Sequence, residues 1–162
     1  MSRVYVSDTN IWIDFSNAGL LDELFELPFI FCCTDFVLDE LNNFDHAGLL
    51  ERGLRVEQMD DTAVIKLYGL MTKHNNSSLA DVSCYFLAQE TARPLLTGDG
   101  RLRKQAQRDG LEVHGALWLL DRLVEHAVVS PKRAADCLDS ILLKNARLPH
   151  AECQARLQKW RG

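Results

Sequence analysis

The sequence has no apolar run close to the roughly 18 residues that a membrane-spanning helix requires. It also lacks a glycine-rich phosphate loop of the G-x-G-x-x-G or Walker type, which argues against a nucleotide-binding enzyme. The first residues lead straight into a strand-like stretch without the layout of a secretory signal, so we expect a cytoplasmic protein. The 162 residues, of which 47% are hydrophobic and 25% are charged, suit one globular domain with a short appendage.

The cysteine and histidine patterns of zinc or disulfide sites are missing as well. The five cysteines are odd in number and form no C-x-x-C pair, so neither a zinc knuckle nor a disulfide framework is expected. They lie in apolar stretches, which predicts buried free thiols in a reducing compartment. The five histidines are scattered without metal-ligand spacing, so no histidine site is predicted.

There is no surplus of basic residues either. The formal net charge is −5, from 18 Lys and Arg against 23 Asp and Glu. Proteins that grip long duplex nucleic acid non-specifically usually show a basic footprint. The acidity does not exclude a nucleic-acid substrate, because divalent cations bound to clustered carboxylates reverse the local sign of the charge.

What the sequence does contain is an alternation of strand-like and helix-like segments. Short apolar runs predict strands at 4–6, 29–33, 54–59, 94–97 and 111–113. Helices are predicted at 11–27 with a break near Gly19, and at 36–44, 62–73, 79–90, 102–108 and 117–126, with a polar break at 74–77 and a turn at 98–100. This alternation predicts a three-layer α/β/α fold around a parallel central sheet.

From Ser130 onward the pattern is purely helical. Ser130 is a favourable N-cap and is followed by a first-turn proline, and Pro149 opens a last short helix. One face of that helix is apolar and suits packing on the protein's own core better than docking of a partner helix; it comprises Cys153, Leu157 and Trp160. We therefore predict a core domain over residues 1–128 and a C-terminal helical extension over 129–162 that packs on it.

Two acidic residues follow predicted strands. Asp8 follows the first strand, and Asp99 follows the strand at 94–97. In open parallel sheets, ligands bind outside the carboxyl ends of the strands, so both side chains are expected at the functional edge. Each has a purely structural alternative: Asp8 caps the next helix, and Asp99 belongs to a common Asp-Gly turn.

Two further acidic residues lie on predicted helices. Glu40 lies at the edge of the apolar helix face that contains Val37 and Phe44, which suits the wall of a cleft as well as an ordinary helix boundary. Asp81 is the only charged residue between positions 79 and 88, in a helix that is apolar almost all round. A buried lone carboxylate is costly unless it is paired or holds a metal. The alternative is a capping box, in which Asp81 reaches back to the amide of Ser78.

The conjunction of the four acids is more informative than any one of them. Four neighbouring carboxylates without a cation repel one another. Hard oxygen ligands of this kind suit Mg²⁺ or Mn²⁺, and such ions support phosphodiester hydrolysis. We therefore predict an acidic metal centre with catalytic and metal-binding residues Asp8, Glu40, Asp81 and Asp99.

At these residues the sequence resembles the PIN-domain family. The resemblance rests on four motifs in order across about residues 1–128: Val-Ser-Asp8-Thr-Asn, Val-Leu-Asp-Glu40-Leu, Ser-Leu-Ala-Asp81-Val-Ser and Leu-Leu-Thr-Gly-Asp99. The stretches 95–99, 113–115 and 118–121 are similar to bacterial or phage proteins related to VapC toxins. The resemblance implies a Mg²⁺- or Mn²⁺-dependent endoribonuclease, a toxin inhibited by a small antitoxin protein, and a homodimer. It also matches Asn10 and Thr97 to the polar residues that accompany the acids.

Basic residues follow the last acid of the quartet. Arg101, Lys104 and Arg108 share one face of the helix after Asp99 and are candidate contacts for RNA phosphates, although an ordinary solvated helix face is the favoured explanation for them. Arg103 is expected to point elsewhere and to pair with an acid. Trp12 and Trp118 are expected to be core aromatics.

Two other functions are compatible with the residues. An aspartyl-phosphate phosphotransfer enzyme would use Asp8 as its nucleophile, but no lysine stands at a predicted strand end to hold the phosphoryl group. A non-catalytic PIN-fold interaction module would use the fold only for binding.

Overall fold

A computed structural model describes residues 3–73, 77–145 and 147–162 of the chain. Within these residues the chain forms five strands and ten helices. The strands are β1 (Val4–Ser7), β2 (Ile30–Thr34), β3 (Arg55–Glu57), β4 (Leu95–Leu96) and β5 (Val113–His114). The helices are α1 (Thr9–Asn17), α2 (Leu21–Glu26), α3 (Asp35–Glu40), α4 (His46–Arg52), α5 (Asp61–Met71), α6 (Leu79–Thr91), α7 (Gly100–Arg108), α8 (Ala116–Glu125), α9 (Pro131–Lys144) and α10 (His150–Arg161).

The five strands form one parallel sheet in the order β3-β2-β1-β4-β5. The first strand is central: Val6 pairs with Cys32 of β2 on one side and with Leu95 of β4 on the other. Parallel strands need crossover connections, and the helices that supply them cover both faces of the sheet. The predicted three-layer α/β/α fold is therefore confirmed, and all five strands end at the same edge.

An aromatic cluster fills the core on one side of the sheet. The rings of Trp12 and Phe31 are essentially inaccessible, and Phe25 stacks on Trp12 with a centroid distance of 5.6 Å. Burial of each side chain of this size contributes about 1.5–3 kcal/mol to folding. Trp12 is thus a core residue, as expected. The five cysteines are buried free thiols, which confirms the prediction made from their spacing.

The predicted helix at 36–44 is shorter in the structure. Its N-cap is Thr34 as expected, since the Thr34 hydroxyl accepts a hydrogen bond from the Val37 amide at 3.3 Å, but α3 ends at Glu40. The side chain of Asp45 then caps α4 by accepting a hydrogen bond from the Gly48 amide at 3.1 Å. Helix α4 was not predicted, because seven residues with one buried position show no clear apolar periodicity.

Most other boundaries differ from the prediction by one to three residues, and two of these differences have a visible cause. Helix α7 begins at Gly100, because Asp99 is its N-cap rather than part of an isolated turn. The last strand is β5 at Val113–His114 instead of 111–113, since the Leu111 amide still donates to the Ala106 carbonyl and closes the end of α7. The predicted break at Gly19 is confirmed: this residue has a φ of 72°, which glycine adopts without strain.

The C-terminal helices pack against α1 and α8. Ser130 caps α9 as predicted, and the stripe of Cys153, Leu157 and Trp160 on α10 is buried against the protein's own core. Arg156 of α10 forms a two-pronged ion pair with Asp121 of α8, at 2.9 and 2.7 Å. The boundary between residues 128 and 129 stays a prediction.

The polar break predicted at 74–77 lies outside the described residues except for Ser77. Across the part of the chain that the structure describes, no helix is long and apolar enough to cross a membrane.

Candidate acidic centre

Asp8 lies at the end of the central strand and is completely buried. Its Oδ1 accepts a hydrogen bond from the Ile11 amide at 3.0 Å and so caps α1. Its Oδ2 accepts from the Thr97 hydroxyl at 2.6 Å and from the Gly98 amide at 3.1 Å. Burial raises the pKa of Asp8 to about 6, while the hydrogen bonds from these three donors act in the opposite direction. The capping role predicted as an alternative therefore coexists with a place at the carboxyl edge of the sheet.

Asp99 follows the neighbouring strand and also caps a helix. Its Oδ1 accepts hydrogen bonds from the amides of Arg101 at 3.0 Å and Leu102 at 3.2 Å, at the start of α7. Its Oδ2 accepts from the hydroxyl of Ser77 at 2.7 Å. The carboxylate is thus held from two sides, by the helix that follows it and by the residue that precedes α6.

Thr97 connects the two strand-end acids. Its hydroxyl donates to Asp8 Oδ2 and accepts from the Asp99 amide at 3.1 Å. This bridge is possible because Ser7 and Leu96, the last residues of β1 and β4, are register partners in that parallel pair. The expectation that Asp8 and Asp99 would lie at one edge of the sheet follows from that register.

Glu40 is the last residue of α3 and is exposed to solvent. Its Oε1 accepts a hydrogen bond from the hydroxyl of Thr9 at 2.6 Å. Since Thr9 directly follows Asp8, this contact draws the end of α3 to the start of α1. Glu40 thereby lies beside the start of α1 with its side chain open to solvent, and its place among the metal ligands stays a prediction.

Asp81 lies in the first turn of α6 and is only 7% exposed. The Ser78 hydroxyl accepts a hydrogen bond from the Asp81 amide at 3.0 Å, so one half of the alternative capping box is present. The pKa of Asp81 is raised to about 7, mainly by burial and then by the negative charges of Asp8, Asp99 and Glu40. Its carboxylate therefore lies within electrostatic range of all three other acids, and their joint role as metal ligands stays a prediction.

The donor set suits a hard divalent cation, because it consists of carboxylates, three of which add to the effect of burial in raising the pKa of the fourth, Asp81. As the side chains are placed, no group of three or more acidic, histidine or cysteine side chains among residues 3–73, 77–145 and 147–162 is close enough to enclose an ion. The four acids therefore fit a divalent cation by their chemistry, whereas a bound cation would have to draw their carboxylates closer together than they lie here.

Two positioning residues escaped the sequence interpretation. Thr9 holds Glu40, and its position beside Asp8 was the only available signal. Ser77 holds Asp99 across 22 residues of sequence, and no local pattern reveals a contact of that range. Asn10, expected beside the acids, lies on α1 and lines a separate hollow of about 230 Å³ with Asp14 and Asn145.

A larger hollow of about 940 Å³ opens beside the acidic centre and shares Thr97, Gly98 and Asp99 with it. Arg101 and Lys104 line this hollow, whereas Arg108 is exposed at the end of α7 and does not belong to the lining. Two expectations were wrong. Arg103 lines the same hollow and, within the described part of the chain, forms no ion pair, because its guanidinium packs against Gly115 instead. Trp118 is only half-buried and also forms part of the wall.

A five-stranded parallel sheet covered by helices, with acids at its carboxyl edge, defines an α/β protein. A family model described as "DUF3368: PIN domain" matches residues 4–162, which is nearly the whole chain. The chain belongs to the PIN-domain family. No curated protein sequence matches the chain.

Among solved structures, the chain is similar to a PilT N-terminus domain protein from the hyperthermophilic archaeon Sulfolobus solfataricus P2. The TM-score is 0.53 at 17% sequence identity, and the match covers 76% of this chain and 95% of that one. This similarity supports the fold.

Proposed function

We propose that the protein is a divalent-metal-dependent endoribonuclease that hydrolyses RNA phosphodiester bonds at the acidic centre. The observation that supports this most directly is the electrostatic proximity of four carboxylates in a PIN domain: burial raises the pKa of Asp81, and the charges of the other three acids raise it further. A protein keeps such a repulsive, partly buried arrangement at a cost in stability, and ligand binding is the simplest use for it.

In this proposal Asp8, Glu40, Asp81 and Asp99 hold Mg²⁺ or Mn²⁺. When bound, the cation supplies charge neutralisation at the phosphate and activation of water for attack on phosphorus. The protein's own side chains do the positioning. Thr97 and the Gly98 amide fix Asp8, Thr9 orients Glu40, and Ser77 orients Asp99.

The substrate would approach over the open side, where Glu40 is exposed. Arg101 and Lys104 are exposed on the first turns of α7, directly after Asp99, and suit contacts with substrate phosphates that flank the cleaved bond. Arg108, on the last turn of the same helix, would contact a phosphate further along the RNA strand.

The test is cleavage of a panel of single-stranded and structured RNAs by the purified protein with Mg²⁺, with Mn²⁺ and with EDTA. Two variants accompany the wild type: Asp8→Asn, and Asp39→Asn as a matched control, because Asp39 is an exposed neighbour of Glu40 outside the centre. We expect metal-dependent cleavage that Asp8→Asn abolishes and Asp39→Asn retains. A folded wild type that binds no divalent ion and cleaves no RNA would overturn the proposal in favour of a non-catalytic interaction module. Labelling of Asp8 by a phosphodonor would favour the phosphotransfer enzyme instead.

The proposal extends to a toxin role, which rests on the sequence resemblance to VapC proteins. In that role the protein forms a homodimer and is inhibited by a small antitoxin protein. Induced expression in a bacterial host is expected to arrest growth, and Asp8→Asn is expected to relieve the arrest. Sedimentation of the purified protein measures the oligomeric state. Growth that is unaffected by a well-expressed, RNA-cleaving wild type would reject the toxin role while the nuclease stands.

A further inference from the structure

The large hollow beside the acidic centre is built from two distant parts of the chain. One part is the segment from Thr97 into α7, and the other is the connection between α9 and α10, which contributes Arg147 and Pro149. The volume of about 940 Å³ lies at the upper end of the range of ordinary ligand sites. Because Asp99 belongs to both the hollow and the acidic centre, anything bound in the hollow lies next to the proposed site of cleavage.

Positive charge is concentrated in this hollow although the protein as a whole carries −5. Five basic side chains line it against three acids, which are Asp14, Asp99 and Glu152. One of the five, Arg156, is paired with Asp121. The other four form no ion pair within the described residues: Arg101, Arg103, Lys104 and Arg147. Arg147 acts on the Asp14 carboxylate only through its charge, without a direct ion pair. Four cations that no described carboxylate pairs directly, in one concave surface, favour an anionic ligand.

The position of Arg147 depends on contacts that hold the C-terminal helices in place. The Asn145 side-chain amide donates to both carboxylate oxygens of the buried Asp14, at 3.1 and 3.4 Å, and so ties the end of α9 to α1. The ion pair between Arg156 and Asp121 ties α10 to α8. These two attachments lie on either side of Arg147 in the sequence. They hold in place the part of the hollow's lining that contains Arg147.

The hollow also has an aromatic wall. The ring of His114 stacks on Trp118 with a centroid distance of 4.0 Å and an interplanar angle of 10°, and both residues line the hollow. Trp118 also stacks on Phe29, with a centroid distance of 5.8 Å and an interplanar angle of 17°, so the ring that this wall offers to a base is that of His114. Cations along a backbone, together with an aromatic ring that accepts a base, are the combination by which proteins bind single-stranded nucleic acid.

We propose that this hollow binds a segment of single-stranded RNA flanking the cleaved bond, with Arg103 of α7 and Arg147 of the C-terminal extension binding its backbone phosphates. The C-terminal helices are then part of the substrate site. This inference rests on the proposed nuclease function and adds two substrate-positioning residues to it, one of them from the C-terminal extension.

The test is fluorescence anisotropy with a labelled single-stranded RNA of mixed sequence, measured for the wild type in EDTA and for Asp8→Asn with Mg²⁺. In each background, Arg103→Ala and Arg147→Ala are compared with Arg55→Ala. Arg55 is an exposed cation on β3, at the opposite edge of the sheet from β5 and the hollow. Each removed phosphate contact is expected to lower the slope of log K against log salt by about 0.7, which is about fivefold in affinity at 0.1 M salt.

Glu152→Gln provides a test of opposite sign, because it removes an acid from the lining and is expected to tighten RNA binding. Binding by Arg103→Ala and Arg147→Ala that matches Arg55→Ala overturns the inference, as does the absence of RNA binding in both backgrounds. Equal affinity and equal variant sensitivity for an RNA duplex would reject the single-stranded class.

Cleavage measured on the same preparations separates this inference from the nuclease proposal. If the wild type cleaves RNA and neither Arg103→Ala nor Arg147→Ala changes binding or cleavage, the inference fails and the nuclease stands. If the wild type cleaves nothing with either metal while both variants weaken binding, the nuclease proposal fails and the RNA-binding hollow stands.

Discussion

Replacement of Asp81 by Asn is expected to stabilise the metal-free protein at neutral pH. The folded-state pKa of Asp81 is about 7, against an ordinary value of 3.8, so the difference is about 3 pH units. At roughly 1.4 kcal/mol per unit, ionisation of Asp81 costs the folded state about 4 kcal/mol above pH 7. The side-chain amide of the variant is still a buried polar group, so part of the cost remains. The expected gain in the free energy of unfolding of Asp81→Asn at pH 8 is therefore about 2–4 kcal/mol.

The direction of the pH dependence follows from proton binding. Between pH 3.8 and about 7 the folded state binds the Asp81 proton more tightly than the unfolded state, so stability contributed at this residue is lost as the pH rises through that window. The gain from Asp81→Asn is therefore expected to be small near pH 4 and to reach its full size above pH 7.

Urea unfolding at pH 5, 6, 7 and 8 in EDTA measures this effect as the difference between wild type and variant. Asp61→Asn is the matched control, because Asp61 is an exposed acid in the first turn of α5 and its removal weakens a favourable interaction with the helix dipole. Saturating Mg²⁺ is expected to stabilise the wild type more than Asp81→Asn. Equal stability of Asp81→Asn and wild type at pH 5 and at pH 8 would refute the idea that buried, mutually repelling carboxylates form this site.

Three further outcomes follow from the same contacts. Thr97→Val removes the hydroxyl that donates to buried Asp8 and is expected to lower the free energy of unfolding by about 1–3 kcal/mol in urea titrations; an unchanged value would deny the bridge. Ser77→Ala removes the hydroxyl that donates to one oxygen of Asp99, and it is expected to lower kcat of RNA cleavage while Tm changes little. A fall in kcat accompanied by a large fall in Tm would indicate a merely structural role. The five buried thiols are expected to react with a disulfide reagent only as fast as the protein opens, and fast labelling of the native state would contradict their burial.

The strand-end acids were predictable because the rule that connects them is local. An apolar run followed by a polar residue marks the end of a strand, and parallel pairing then brings Asp8 and Asp99 to one edge. Asp81 was visible as a single charge in an apolar helix, and burial is what raises its pKa. The position of Glu40 at the edge of the apolar helix face was predictable from helix periodicity. The helix itself ends at Glu40, whereas the predicted helix continued to residue 44.

The features that were missed depend on contacts between distant segments. Ser77 reaches Asp99 only because the N-terminus of α6 lies beside β4, and Arg147 reaches the hollow only through the packing of α9 and α10. The pairing state of Arg103 depends on its contact with Gly115, which no helical wheel includes. The sequence interpretation considered the charges of α7 alone and therefore missed the contribution of Arg147 to the lining of the hollow.

The dual role of Asp99 allows its charge to be separated from its place in the fold. Asp99 caps α7 through two backbone amides, and α7 carries Arg101 and Lys104. Loss of the cap would therefore disturb the acidic centre and the basic lining of the hollow together. Asn caps helices as well as Asp does, whereas Ala does not. Asp99→Asn is therefore expected to keep the wild-type stability within about 0.5 kcal/mol, while Asp99→Ala loses about 1–2 kcal/mol in urea unfolding. If both variants lose RNA cleavage to the same extent despite this difference, the charge of Asp99 is what the chemistry requires; cleavage that survives in Asp99→Asn and disappears in Asp99→Ala would assign Asp99 to the architecture alone.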